Sequence, residues 1–76
     1  MPRVATIGNV EIYMYADDHR PIHVHVYMGT ADDAKVGIGG NIIEGKLSKA
    51  TRKTSVAWVL ANVNFINARW KELGNI

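Results

Sequence analysis

The sequence predicts an α+β domain, a small antiparallel sheet in the order β-β-β-β-α with one long C-terminal helix packed on one face. Three observations carry this. Apolar and polar residues alternate at a period of two in residues 10–15, 22–28 and 34–39, the pattern of half-buried strands. Gly8-Asn9 and Gly40-Asn41 punctuate those stretches as turn signals. After residue 48 the period changes: Val56, Val59, Leu60, Val63, Ile66, Trp70 and Leu73 step by three or four, which is one face of an α-helix.

In chain order, residues 3–7 read as a first strand and Gly8-Asn9 as a hairpin turn. Val10, Ile12 and Met14 then face one way, with Glu11, Tyr13 and Tyr15 facing the other. Residues 16–21 form a loop. In 22–28, Ile22, Val24, Val26 and Met28 share the apolar face, while His23, His25 and Tyr27 project together from the opposite one, about 7 Å apart at i and i+2. Residues 29–33 read as a polar turn. Ala34, Val36 and Ile38 alternate with Lys35, Gly37 and Gly39, and Ile42-Ile43-Glu44 can add a further short strand. Ser48 is placed to cap a helix over 49–73, about 37 Å long, and Gly74 suits its C-terminal end. Gly37 and Gly39 should leave backbone open beside the tyrosine and histidine face.

Seventy-six residues make a single domain, 1–45 the sheet part and 46–76 the helix part. Such a chain buries only about 60% of its unfolded surface, so a partner protein or a homodimer is an expected supplement. It has no cysteine, which excludes disulfides and thiolate zinc sites. Without an apolar leader or a run of 18 apolar residues, a cytoplasmic protein with no membrane association is expected. Charge is uneven: residues 1–45 carry three basic and six acidic side chains, net −3, and 46–76 six basic and one acidic, net +5.

Chemistry concentrates in Asp17-Asp18-His19-Arg20-Pro21-Ile22-His23-Val24-His25, which holds all three histidines. His19, His23 and His25 are candidate metal ligands, with Asp17 and Asp18 adjacent. A His-x-His pair on one strand face can share zinc, and a loop residue could close the site. No cofactor is otherwise demanded. His23 and His25 are also candidate catalytic acid–base groups, since imidazole titrates near neutrality. Lys35 or Arg20 could supply a cation. The plain alternative has His19 bonded to backbone and the other two stacked with the tyrosines.

Candidate binding residues fall in two sets. Tyr13, Tyr15 and Tyr27 could stack single-stranded bases or line a protein contact. Lys49, Arg52 and Lys53, with Lys46, crowd the helix start without an acid in its first turn. The macrodipole makes cations mildly unfavourable there, so an anion, a phosphate or an acidic partner, could be the reason. Salt-screened solvent exposure is the plain alternative. Trp70 lies on the helix stripe and Trp58 off it.

Several features resemble bacterial proteins of the domain of unknown function 4160 type. They are Met1-Pro2, Ile12-Tyr13-Met14-Tyr15, Asp18-His19-Arg20-Pro21 with His23-Val24-His25, Ile43-Glu44-Gly45-Lys46-Leu47, Arg52, Trp58 and Trp70. The chain departs from that pattern at Ile22, where a second proline is usual, and at Asn62, Asn64 and Asn67, where acids are usual. The resemblance implies a small bacterial protein, some relatives being loosely described as toxin-like, and no particular reaction. The expected function is a binding module, one component of a toxin–antitoxin-like or regulatory pair that binds a partner protein or nucleic acid. A small hydrolase, metal-dependent or ribonuclease-like and centred on His19, His23 and His25, is the alternative.

Overall fold

The structure, a computed structural model, describes residues 3–16, 18–29 and 32–74. Asp17, part of the turn expected at 29–33, Met1-Pro2 and Asn75 lie outside the described residues. Five strands form one antiparallel meander: β1 (Arg3–Ile7), β2 (Val10–Tyr13), β3 (His23–Met28), β4 (Asp32–Gly37) and β5 (Ile42–Lys46), paired in sequence order. Two helices follow, α1 (Lys49–Ala61) and α2 (Val63–Glu72). No helix among the described residues is long and apolar enough to cross a membrane.

Register sorts the two faces. Ile12 pairs with Val26, Val26 with Ala34, and Val24 with Val36, so the β-branched residues of three strands share one face. That face and the helices enclose Val10, Ile12, Met14, Val24, Val26, Val36, Val59, Ile66 and Trp70, all buried. On the other face Tyr13, His25, Lys35 and Glu44 make a row across four strands.

Four expectations need correction. The sheet has five strands, because residues 42–44 extend to Lys46 as β5. β2 stops at Tyr13 instead of Tyr15, since the Tyr15 N–H donates to Asp18 Oδ2 at 3.2 Å and leaves the ladder. β4 starts at Asp32, which is buried in the strand and not part of a polar turn. The fourth concerns the single long helix over 49–73, which is instead two helices broken at Asn62. The Asn62 side-chain amide donates to the Trp58 carbonyl at 2.8 Å, and its φ of −127° is non-helical. A short amide side chain that bonds nearby backbone competes with helix continuation. The break also rotates the buried stripe. α1 faces the sheet with Thr51, Ser55 and Val59, and Leu60 is left 55% exposed.

Asp32 explains the start of α1. Its carboxylate accepts from the Ser48 N–H (2.9 Å), from Ser48 Oγ (3.0 Å) and from Thr51 Oγ1 (2.7 Å). The negative charge that a helix N-terminus favours thus comes from β4, where a search of the first turn does not find it. The Thr51 hydroxyl chiefly, then the Ser48 backbone, hold the Asp32 carboxyl below its ordinary value of 3.8. The charged form is therefore favoured in the fold. This contribution is complete above the unfolded-state value and is lost as pH falls through the lower folded value. Thermal melts should accordingly fall in the acid range below pH 3.8. Asp32→Asn should melt lower at neutral pH and show a shallower acid decline than the native chain, and parallel acid limbs would refute this role.

Candidate functional site

The loop between β2 and β3 folds back over the start of β3 and sets Asp18 against both strand histidines. His25 Nε2 lies 3.0 and 3.2 Å from the two Asp18 oxygens. His23 Nε2 lies 3.6 Å from Asp18 Oδ1, beyond hydrogen-bonding reach. The His23 and His25 rings are 5.1 Å apart, side by side as strand alternation requires. One ligand atom from each of Asp18, His23 and His25 falls within 4.8 Å of the others. The expected trio of His19, His23 and His25 is thus not what the loop assembles. His19 is exposed on the loop, outside this group, and Asp18 takes the third position.

His23 does not project away from the core as expected. It is 5% exposed and meets Trp70 of α2 edge-on, ring centroids 5.5 Å apart. Its Nδ1 sits 2.7 Å from the Pro21 carbonyl. A carbonyl only accepts, so Nδ1 carries a proton, and in the neutral ring Nε2 presents a lone pair. That Nε2 is buried without a hydrogen-bond partner. Nor is the backbone beside it open: Gly37, opposite His23 in the ladder, donates its N–H to the Asn41 carbonyl at 2.8 Å.

The three tyrosines come together. Tyr13 and Tyr15 stack with centroids 5.9 Å apart, Tyr27 meets Tyr13 edge-on at 5.3 Å, and Tyr15 meets His25 edge-on at 4.7 Å. The Tyr13 hydroxyl donates to Glu11 at 2.7 Å, and the Tyr15 and Tyr27 hydroxyls are 3.3 Å apart. Bonding to Tyr15, and then desolvation, push the Tyr27 phenol well above its usual range. The Glu11 hydrogen bond likewise raises Tyr13. Both phenols are neutral at physiological pH and offer stacking surface without charge.

A cleft of about 330 Å³ opens beside the histidines, lined by Asp18, His19, Arg20, Pro21, His23, Lys35, Ile43 and Glu44. Lys35 pairs with Glu44 there at 3.7 Å, an exposed pair of small energetic weight. The helix-start cations lie elsewhere, on α1, which covers the sheet's apolar face. Lys49, Arg52 and Lys53 are exposed and border a groove of about 570 Å³ whose remaining lining is Gly40, Val56, Ala57 and Leu60.

Sequence reasoning gave too little weight to Asp18 and missed Trp70 as a neighbour of His23. Both need the loop reversal and the helix break, which spacing does not encode. The signal within reach was Pro21, whose carbonyl two residues before His23 invites the Nδ1 bond.

No curated protein and no solved structure matches the chain. The family model described as domain of unknown function (DUF4160) matches residues 9–71, a span holding every strand but the first, both helices to Lys71 and the whole Asp18–His23–His25 group. The chain therefore belongs to the DUF4160 family.

Proposed function

We propose that the chain is a cytoplasmic bacterial binding module, one component of a toxin–antitoxin-like or regulatory pair, which takes up an acidic amphipathic segment of a partner protein on α1. The groove there is the observation that carries this reading. Its floor is apolar and includes Leu60, 55% exposed, and Lys49, Arg52 and Lys53 rim it. Apolar anchors inside a cationic border suit a helix with apolar and acidic faces. The tyrosine face, by contrast, spends its hydroxyls on internal partners.

The test measures binding of two labelled probes to the full chain, a Glu/Leu amphipathic peptide and a short single-stranded RNA. Peptide binding should weaken about tenfold in Leu60→Glu. It should also weaken, with a flatter salt dependence, in Lys49→Glu combined with Arg52→Glu. RNA binding that ignores Leu60→Glu but loses about one unit of salt slope per lost phosphate contact would make this a nucleic-acid module instead. Concentration-dependent self-association abolished by Leu60→Glu would make the occupant a second copy.

A second reading, the small hydrolase, is favoured by one observation: Asp18, His19 and His23 line a cleft that also holds Arg20 and Lys35, with His25 bonded to Asp18 behind it, an arrangement suited to an anionic substrate. Cleavage of single-stranded RNA by the intact protein, eliminated by His25→Ala, would install that reading in place of the first.

A further inference from the structure

We infer that Asp18, His23 and His25 form a binding site for one zinc-type divalent cation. The argument starts from His23. Its Nδ1 proton is committed to the Pro21 carbonyl at 2.7 Å, and its Nε2 is buried with no hydrogen-bond partner, in the neutral ring an acceptor with nothing to accept from. Asp18 Oδ1, 3.6 Å away, is another acceptor. With the ring neutral, two lone pairs face each other in a buried place, which is unfavourable unless a positive charge, the ring's own second proton or a metal ion, lies between them. Without an ion, a His25 Nε2 proton accounts for one side of the carboxylate and leaves the His23 side unanswered; with an ion bound, that proton moves to Nδ1 or to solvent and Nε2 becomes a ligand.

A cation satisfies all three groups. Zinc bonds imidazole nitrogen and carboxylate oxygen at about 2.0–2.2 Å, which puts tetrahedral ligand atoms roughly 3.3 Å from one another. The two nitrogen-to-oxygen separations here are 3.0 and 3.6 Å, and the whole set lies within 4.8 Å. The supporting contacts are also those of a metal site. A backbone carbonyl fixes the His23 tautomer with Nε2 free, and the Tyr15 N–H donates to Asp18 Oδ2 at 3.2 Å, orienting the carboxylate. Two imidazoles and one carboxylate suit zinc and neighbouring transition ions over calcium or magnesium. Asp18 and His23 also line the neighbouring cleft. This site is independent of the partner groove on α1 and stands whichever reading of that groove holds.

The full chain, freed of metal with a chelator, is titrated with zinc chloride and, separately, magnesium chloride by calorimetry and thermal melts. One zinc per chain is expected, with a melting temperature raised by roughly 10 °C or more at a hundredfold excess over Kd. Magnesium should give neither effect. Cobalt(II) should bind with the intense visible absorption of a four-coordinate site. Asp18→Asn and His25→Ala, each confirmed folded by circular dichroism, should weaken zinc binding by about a hundredfold or more. His19→Ala should leave it unchanged. His23→Ala is the weaker probe because His23 packs on Trp70. Absence of zinc binding, zinc binding indifferent to Asp18→Asn and His25→Ala, or zinc binding lost in His19→Ala would each overturn the assignment.

Discussion

Val24→Asp is expected to leave no cooperatively folded protein. Val24 is fully buried at the centre of the sheet's apolar face, paired with Val36 and covered by the helices. An aspartate there has no cationic partner: the lysines and arginines of this chain sit on the opposite face, on the helices' outer surface, at the strand ends or, for Arg20, in the exposed loop before β3. The cost of an unpaired buried carboxylate is several kcal/mol even after protonation relieves part of it. A domain of this size has a total stability on the order of 5–10 kcal/mol. The neighbouring substitutions separate register from simple fragility. His25→Ala should melt as a folded protein, a few degrees lowered. His23→Ala should lose more, since His23 is 5% exposed and packs on Trp70. Circular dichroism melts of the three variants decide the matter. A Val24→Asp chain with a native-like transition would show that the sheet is paired one residue out of register.

That result bears on how much of the molecule was legible in the sequence. The strand faces were, because period-two alternation depends only on which residues share a side. Val10, Ile12, Met14, Val24, Val26 and Val36 are all buried as the alternation requires. The hairpin at Gly8-Asn9 and the cap at Ser48 were equally readable, since each rests on adjacent residues. What failed depended on groups distant in sequence. A helix stripe running through Asn62 looks continuous in projection, but the Asn62 amide bonds the Trp58 carbonyl. The acid that completes the start of α1 lies 16 residues before Ser48, so no first-turn rule finds it. The candidate site shows the same division. The side-by-side placement of His23 and His25 follows from alternation. The choice between His19 and Asp18 as the third member depends on how the loop folds back, which spacing leaves open.

Gly45→Ala is the second substitution with a large expected effect, and it tests the outer edge of the sheet instead of its centre. Pairing between β4 and β5 slips at Lys35/Val36: Lys35 pairs with Glu44 but Val36 with Ile42, which leaves Ile43 as an extra residue in a bulge. Gly45 follows this bulge with φ +90°, a conformation costly to any residue with a Cβ. Space is lacking as well. An added Cβ would run into the Asp33 carbonyl oxygen and stand 2.8 Å from the Ala34 Cα, and backbone atoms in a ladder cannot move aside as a flexible side chain can. Gly29→Ala is the matched control, because Gly29 also has positive φ (+59°) but nothing within 4 Å of an added Cβ. The control should lose about 1–2 kcal/mol for backbone strain alone, and Gly45→Ala about 3–4 kcal/mol. The damage should also spread. Asp33 and Ala34 follow directly on Asp32, whose carboxylate holds Ser48 and Thr51 at the start of α1. Forcing β5 off β4 should therefore speed amide exchange at Ser48 and Arg52 as well as along β5. If Gly45→Ala melts within a degree or two of Gly29→Ala, or if its faster exchange stops at β5, the bulge is not the element that fixes this edge to the helix.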